Sequence, residues 1–173
     1  MFKKSKRPIV LAGGGVISAE AQHALYEFVS NKNIPVVVSL MGKSSFPEDN
    51  DLFVGMIGSY GNRCANMALA SADLVLAIGT RLDTRQTGTR LDSFVRSGKI
   101  IHVDIDAREL EHSRVKRDVS VEMDAKVFLK KMNSISISDA TDRDVWLQYI
   151  FDVKKTYNQK MEVDRFVENR LPY

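Results

Sequence analysis

The segment at residues 79–88, GTRLDTRQTG, carries the side chains best suited to hold an anion. Arg81 and Arg85 present planar guanidinium groups that match the oxygens of a phosphate, and the neighbouring threonines add hydroxyl groups. The segment follows the apolar run DLVLAIG, and open α/β sheets bind their ligands where such buried strands end. Two interpretations fit the residues: a phosphate site, or a solvated loop with mutual ion pairs.

A second candidate for anion binding is the glycine turn at residues 13–15. It stands between a predicted strand and a predicted helix, where backbone N–H groups can meet a pyrophosphate. Ser18 occupies the third glycine position of the dinucleotide pattern, and Ser39 and Leu40 stand where an acidic residue would follow the second strand. A conventional NAD site is therefore not expected. The turn allows close approach by another nucleotide or by the chain itself.

Two carboxylates follow one another closely in the run KIIHVDID. Asp104 and Asp106 lie at i and i+2, so they share one face if both belong to a strand. They could hold a metal, accept hydrogen bonds from ribose hydroxyls, or cap the loop. A third phosphate-binding pattern, at residues 42–44, is rejected because Val37 stands where a P-loop requires glycine.

The chain offers no conventional catalytic group. Its three histidines are scattered, and we interpret His23, in a helix, and His102, in a buried strand, as core residues. Cys64 lies among small apolar residues, which favours packing over reactivity. The sequence has no nucleophile elbow and no Cys/His metal spacing. We therefore predict neither catalytic nor metal-binding residues.

Short apolar runs separated by helical patterns must position these groups. Continuous apolar runs predict strands buried on both faces, at residues 8–14, 34–40, 73–79 and 99–106. Residues 119–124 alternate instead, which predicts a strand near an edge. The fold class is α/β, a Rossmann-like, doubly wound, mainly parallel sheet of five to six strands with flanking helices.

Four helices are predicted around this sheet. The first begins at an N-cap on Ser18, the second covers about residues 62–70, and the third follows Asp124. A capping box at Thr141 and Asp144 starts the fourth, which we expect to cover part of the domain. We divide the chain into a domain at 1–133 and a C-terminal helix and linker at 134–173.

The composition is that of an ordinary globular domain. The chain has 173 residues, 44% of them hydrophobic and 27% charged, so disorder is not expected. A net charge of +3 is too small to indicate a nucleic-acid partner. The single cysteine excludes an internal disulfide and fits a reducing, cytoplasmic location. No stretch is long and apolar enough for a membrane span, and we identify no signal peptide.

Five motifs occur in an order that resembles a known family: AGGGVIS, SLMGKSSFPEDN, GMIGSYGNRCANMAL, SADLVLAIGTRLDTRQTG and KIIHVDIDAREL. Together they resemble the central domain of thiamine-diphosphate-dependent enzymes, especially the acetolactate synthase large subunit, over residues 7–130. The resemblance implies that FAD or an ADP-type nucleotide binds in this domain.

The same resemblance implies a longer, homo-oligomeric parent enzyme. Thiamine diphosphate and magnesium would bind there, in the pyrimidine- and diphosphate-binding domains that this chain lacks. The parent would decarboxylate a 2-oxo acid and join it to a second carbonyl compound, and this chain alone would not be catalytic.

The resemblance carries a set of cofactor-binding positions onto this sequence. They are Gly14, Ser39, Leu40, Met41, Gly42, Gly58, Ser59, Tyr60, Gly79, Thr80, Arg81, Leu82, Asp83, Arg85, Asp104, Ile105, Asp106, Glu109 and Asp124.

Three departures from the family pattern suggest a different reading of the same residues. Tyr60 stands where acetolactate synthases often have histidine, Thr84 replaces the second aspartate of a D-D-R motif, and Met123 replaces glycine before Asp124. They motivate the alternative of a non-catalytic structural module whose nucleotide site has decayed. The flavin domain of an electron-transfer flavoprotein is disfavoured because the loops follow the thiamine-enzyme order. In either case we expect exposed apolar surface where absent domains would dock.

Overall fold

Six parallel strands form the sheet of this protein, for which a computed structural model describes residues 1–135 and 143–157. The strands are β1 Pro8–Ala12, β2 Val36–Val38, β3 Phe53–Met56, β4 Leu74–Ile78, β5 Lys99–Asp104 and β6 Val119–Glu122. Their order in the sheet is β3-β2-β1-β4-β5-β6, and every neighbouring pair is parallel. The order reverses between β1 and β4, so the carboxyl ends of these two strands form the topological switch point of the sheet.

Helices cover both faces of this sheet, as a doubly wound fold requires. They are α1 Gly14–Ser18, α2 Gln22–Lys32, α3 Arg63–Ser71, α4 Thr84–Thr87, α5 Ala107–Glu111, α6 Ala125–Ser134 and α7 Asp144–Thr156. One apolar core lies under α3 and α7, and a second lies under α2 and α6. The central strands β1 and β4 are buried throughout, whereas β6 alternates at the edge, as the sequence predicts.

The start of the first long helix differs from the prediction. Ser18 is the last residue of α1 rather than an N-cap, and its hydroxyl donates to the Gly14 carbonyl over 3.2 Å. Glu20 has a φ of 51°, a left-handed turn that breaks the chain before α2 begins after Ala21. Backbone hydrogen bonds that begin in the glycine turn complete α1, so α1 is a short helix separate from α2. The apolar side chains of α2 are nevertheless buried as one face, formed by Ala24, Leu25, Phe28 and Val29.

The last helix, α7, packs on the sheet as predicted. The Trp146 indole N–H donates to the Pro8 carbonyl over 2.9 Å, and its ring stacks on Tyr149. Both rings belong to the core beneath α3. Arg143 precedes the helix. Thr141, the first half of the expected capping box, and residues 158–173 of the expected linker lie outside the described residues. Within the described part of the chain, no helix is both long and apolar enough to span a membrane.

Candidate functional site

The loops after β1 and β4 meet at the carboxyl edge of the sheet, where the strand order reverses. Gly13 N–H donates to the Ile78 carbonyl and Gly15 N–H to the Gly79 carbonyl, both over 2.9 Å. A Cβ at Gly13 would lie 2.1 Å from the Gly79 oxygen, and one at Gly15 would lie 2.6 Å from the Gly79 Cα. These glycines therefore let the chain approach itself, which is one of the two roles that the sequence left open.

The segment after β2 lies against the same glycine turn. The Ser39 hydroxyl accepts a hydrogen bond from Gly42 N–H over 3.1 Å and closes a short turn. A Cβ at Gly14 would come within 3.1 Å of the Met41 Cβ, so the two segments are in contact. Leu40 and Met41 remain 52% and 75% exposed. The predicted residues from these two loops are thus brought together, with their apolar side chains facing solvent.

The segment after β3 is connected to the arginine-containing loop at 79–88. The Asn66 side chain, from α3, accepts from Gly58 N–H over 2.9 Å and donates to the Gly58 carbonyl over 3.1 Å. Ser59 N–H donates to the Arg85 carbonyl over 2.9 Å. The neighbouring Tyr60 is 76% exposed. Asn66 is therefore an organising residue that the sequence reasoning missed; a polar side chain inside a small-residue helix was its only signal.

The loop at 79–88 is ordered by its own side chains and by its neighbours. The Thr80 hydroxyl donates to the Gln86 side-chain oxygen over 2.6 Å. Asp83 accepts from Gln86 N–H over 3.1 Å and caps α4. Leu82, with a φ of 52°, is fully buried and anchors the turn. Gln86 is a second residue that the sequence analysis did not single out.

Two arginines around this loop already have protein partners. Arg81 forms an ion pair with Glu109 at 3.2 Å, although the Arg81 side chain is 75% exposed. Arg114 donates to the Thr84 hydroxyl, at the position where the family pattern has an aspartate. An exposed pair of this kind contributes about 0–1 kcal/mol and can exchange with a ligand. Arg81 thus has an ion-pair partner on α5, outside the loop, rather than within the loop, and both guanidinium groups stay on the surface.

The carboxylates at the end of β5 and before α6 act as caps. Asp104 accepts from Asp106 N–H over 3.0 Å, and Asp106 accepts from Arg108 N–H over 2.9 Å at the start of α5. Because β5 ends at Asp104, the expectation that both lie on one strand face is wrong. Asp124 accepts from two N–H groups of α6. The described residues contain no cluster of three His, Cys, Asp or Glu side chains that could hold a metal.

Two small clefts lie among these loops. The first has a volume of about 160 Å³, and its lining includes Gly79, Asp104, Ile105 and Asp124. The second has a volume of about 90 Å³, and its lining includes Leu40, Met41, Ser59, Tyr60, Asp83 and Arg85. The loop at 79–88 contributes to both. Ten of the nineteen predicted positions are therefore divided between these two clefts, and the other nine line neither of them.

A larger cleft of about 400 Å³ lies beside β3, and of the predicted positions only Tyr60 lines it. Its Lys154 ammonium donates to the Asp51 carbonyl over 2.8 Å, and partial burial lowers the pKa of this lysine. Cys64 also lines it; the thiol is buried and donates to the Val54 carbonyl over 3.2 Å. This supports packing as the role of Cys64.

The histidines differ in their surroundings. His102 is fully buried, and its Nε2 lies 2.7 Å from the Thr80 carbonyl oxygen. Burial lowers its pKa; the Thr80 hydrogen bond opposes that shift but is the smaller effect. His23, by contrast, is 85% exposed and pairs with Glu27 at 3.3 Å, so its interpretation as a core residue is wrong. It lies on the solvent face of α2, opposite the stripe that packs on the sheet.

This arrangement defines a class: a doubly wound α/β domain with its candidate site at the switch point of the sheet. The particular family follows from sequence comparison. Residues 1–132 match the family described as "Thiamine pyrophosphate enzyme, central domain", and the chain belongs to that family.

The chain is also similar to curated acetolactate synthases. It is 40% identical over 163 residues to the acetolactate synthase large subunit of Cyanidium caldarium, covering 91% of this chain and 27% of that protein. It is 38% identical over 165 residues to the probable acetolactate synthase large subunit of Methanocaldococcus jannaschii, covering 95% of this chain and 28% of that protein. The chain therefore spans less than a third of the length of these relatives and is a central domain of the acetolactate-synthase-like type.

Proposed function

We propose that the carboxyl edge of this domain binds FAD or an ADP-type nucleotide. The supporting observation is that ten of the nineteen positions carried over from the family border two clefts, and that the loop at 79–88 contributes to both. The carboxylates of Asp104 and Asp124 border the first cleft and can accept hydrogen bonds from a ribose. Arg81 and Arg85 are exposed on the linking loop, where they can pair with a diphosphate.

The residues fit such a nucleotide with one restriction. The space beside Gly13 and Gly15 is filled by the backbone of the β4 loop, so a pyrophosphate cannot enter the glycine turn itself. It would instead lie outside the turn, against the arginine side chains. The exposed Leu40, Met41 and Tyr60 side chains around the second cleft provide apolar surface for a flat ring. In FAD this ring is a flavin; in ADP it is absent.

The remaining functional assignments concern a longer enzyme. We propose that it decarboxylates a 2-oxo acid, joins it to a second carbonyl compound, and acts as a cytoplasmic homo-oligomer. Its outer domains would hold thiamine diphosphate and magnesium. This chain, with a domain at 1–133 followed by a helix and linker, supplies no chemical step and holds the nucleotide and the outer domains in register.

A titration of the purified chain with FAD and with ADP tests the binding proposal. We expect saturable binding by calorimetry and a rise in melting temperature with ligand concentration. Arg85→Gln should weaken binding by about tenfold, because it removes a charge-assisted contact to phosphate. Arg90→Gln is the matched control, since Arg90 is also exposed but pairs with Asp92 away from both clefts. No saturable binding of either nucleotide would refute the proposal.

One observation favours the second candidate, a structural module with a decayed site. Arg81 and Arg114 are paired with Glu109 and Thr84, so neither requires a ligand to satisfy it. Under that alternative, Glu109→Gln would leave nucleotide affinity undetectable. Under the binding proposal, the same change releases Arg81 and raises affinity for the diphosphate. The two candidates therefore predict opposite results for one variant.

A further inference from the structure

A buried imidazole lies directly beneath the arginine-containing loop. His102, on β5, has no exposed surface, and its Nε2 is 2.7 Å from the Thr80 carbonyl oxygen. A carbonyl oxygen can only accept, so Nε2 carries the proton and donates. Within the described residues, His102 Nδ1 is buried and has no hydrogen-bond partner. The ring is therefore the neutral Nε2–H tautomer.

The acceptor of this hydrogen bond is the peptide group that leads into Arg81. The Thr80 side chain is held separately by Gln86, and Leu82 then turns the chain with a positive φ of 52°. His102 thus fixes the plane of one peptide between a buried strand and a left-handed turn. That plane sets the direction in which the Arg81 side chain leaves the loop.

We propose that His102 is a positioning residue: as a neutral ring, it holds the Thr80–Arg81 peptide and so orients Arg81 for a phosphate-bearing ligand. The orientation of Arg81 for a ligand rests on the proposed nucleotide site, whereas the fixing of the Thr80–Arg81 peptide does not. A purely space-filling role would not require Nε2 to face the carbonyl oxygen.

The surroundings of His102 make its hydrogen bond to the Thr80 carbonyl sensitive to low pH. Burial lowers the pKa of His102, and the charged groups that act on it are Asp104 on its own strand, Glu109 on α5 and Arg117 before β6. The neighbouring strands contribute Ala77 and Ser120, which do not titrate. A second proton would be placed on Nδ1, which has no acceptor among the described residues. Protonation is therefore coupled to opening of the structure around the ring.

Amide hydrogen exchange of the ligand-free chain tests the fixing of the Thr80–Arg81 peptide. In His102→Leu we expect exchange at residues 80–87 to rise at least about fivefold relative to the β1 amides, the effect of losing one hydrogen bond. His102→Gln can place an N–H near the same carbonyl and should restore most of the protection. Ile100→Val, two residues away on the same strand and buried in the core beneath α3 and α7, is the control for loss of packing. It should leave residues 80–87 unchanged.

The dependence on pH separates positioning from packing. Wild-type protection at residues 80–87 should fall as the pH drops below 6.5, the ordinary pKa of histidine, towards the lowered pKa in the folded chain. His102→Gln should not show this fall. Nitrogen NMR of the wild type should show a proton on Nε2 at neutral pH. A proton on Nδ1, or an equal loss of protection in β1 and in the loop of His102→Leu, would overturn the proposal.

Nucleotide titration tests the orientation of Arg81 for a ligand. His102→Leu should bind ADP about tenfold more weakly than wild type, whereas His102→Gln should stay within about twofold. If wild type binds neither ADP nor FAD, the nucleotide site is refuted, and the exchange data still decide the role of His102 in the loop. If ADP binds equally to all variants, His102 does not position the ligand-binding group.

Discussion

Three single glycine-to-alanine substitutions at the candidate site distinguish the cost of steric contact from the cost of backbone strain. Gly13 has an ordinary φ of −106°, but a Cβ there would lie 2.1 Å from the Gly79 oxygen. Gly88 has a φ of 73° and nothing within 4 Å of a built Cβ. Gly79 combines both conditions, with a φ of 58° and the Gly15 Cα at 2.7 Å. Substitution by alanine therefore introduces steric contact alone at Gly13, backbone strain alone at Gly88, and both at Gly79.

The expected free energies follow from these geometries. Gly13→Ala forces two backbone segments apart, which costs about 1–3 kcal/mol. Gly88→Ala requires a backbone conformation that is almost confined to glycine, with φ 73° and ψ −176°, at a cost of about 1–3 kcal/mol. Gly79→Ala adds about 1–2 kcal/mol for the left-handed conformation to a similar steric cost, giving about 2–5 kcal/mol in total. We therefore expect Gly79→Ala to cost the most of the three.

Urea denaturation at a fixed pH measures these differences, provided that the slope of the transition does not change between variants. The contact between the two glycine loops would be refuted if Gly13→Ala cost less than about 0.5 kcal/mol, the range of ordinary surface substitutions. A cost for Gly79→Ala equal to that of Gly88→Ala would also contradict it. In that case strain alone would account for both variants, and the β1 and β4 loops would not be packed together.

Three further outcomes are expected. Asn66→Ala should destabilise the chain by about 2 kcal/mol in urea, because Gly58 N–H loses its acceptor and the Gly58 carbonyl keeps only the Gly61 N–H as a donor. Met67→Ala on the same helix should cost less. Arg143→Met should cost about 2 kcal/mol and lower the melting temperature, because the buried guanidinium bonds three carbonyls, including that of Phe2, and stacks on the Phe2 ring. The free energy of unfolding should decrease as the pH falls below 6.5, since the unfolded chain binds the His102 proton more readily, and His102→Gln should remove this component.

Much of the sheet was predictable because buried parallel strands appear in the sequence as continuous apolar runs. The four continuous apolar runs contain β1, β2, β4 and β5, and the alternating run contains β6 at the edge. Strand β3 left no such mark. Gly55 interrupts it with a φ of 132°, and its outer edge is satisfied by Asn62, which donates to the Met56 carbonyl and accepts from the Met56 N–H. Those partners come from the following loop rather than from a periodic pattern.

The residues of the candidate site that lie at strand ends could be predicted from the sequence, whereas the residues that hold the loops in place could not. Parallel strands bring their carboxyl ends to one edge, so Gly79 and Asp104 had to lie near one another once the strands were assigned. Asn66 and His102 act through hydrogen bonds that depend on how helix and loop pack over the sheet. Neither contact has a signature in spacing. The left-handed turn at Glu20 likewise depends on how α1 ends. Because of this turn, the next helix begins later than the sequence predicts.

The size of the clefts bears on how the domain would hold a nucleotide. Volumes of about 160 and 90 Å³ are well below the roughly 300–1,000 Å³ typical of sites that enclose a small molecule. A dinucleotide spanning both would therefore stay partly exposed on this domain alone. Leu40, Met41 and Ile105, at 52%, 75% and 69% exposure, lie around the same clefts and offer apolar surface to a covering partner. Because affinity depends on burial of the ligand, binding should be weaker in the isolated chain than where another domain covers this edge. A domain that covered these side chains would also bury more of the ligand, which agrees with the apolar docking surface that the sequence predicts.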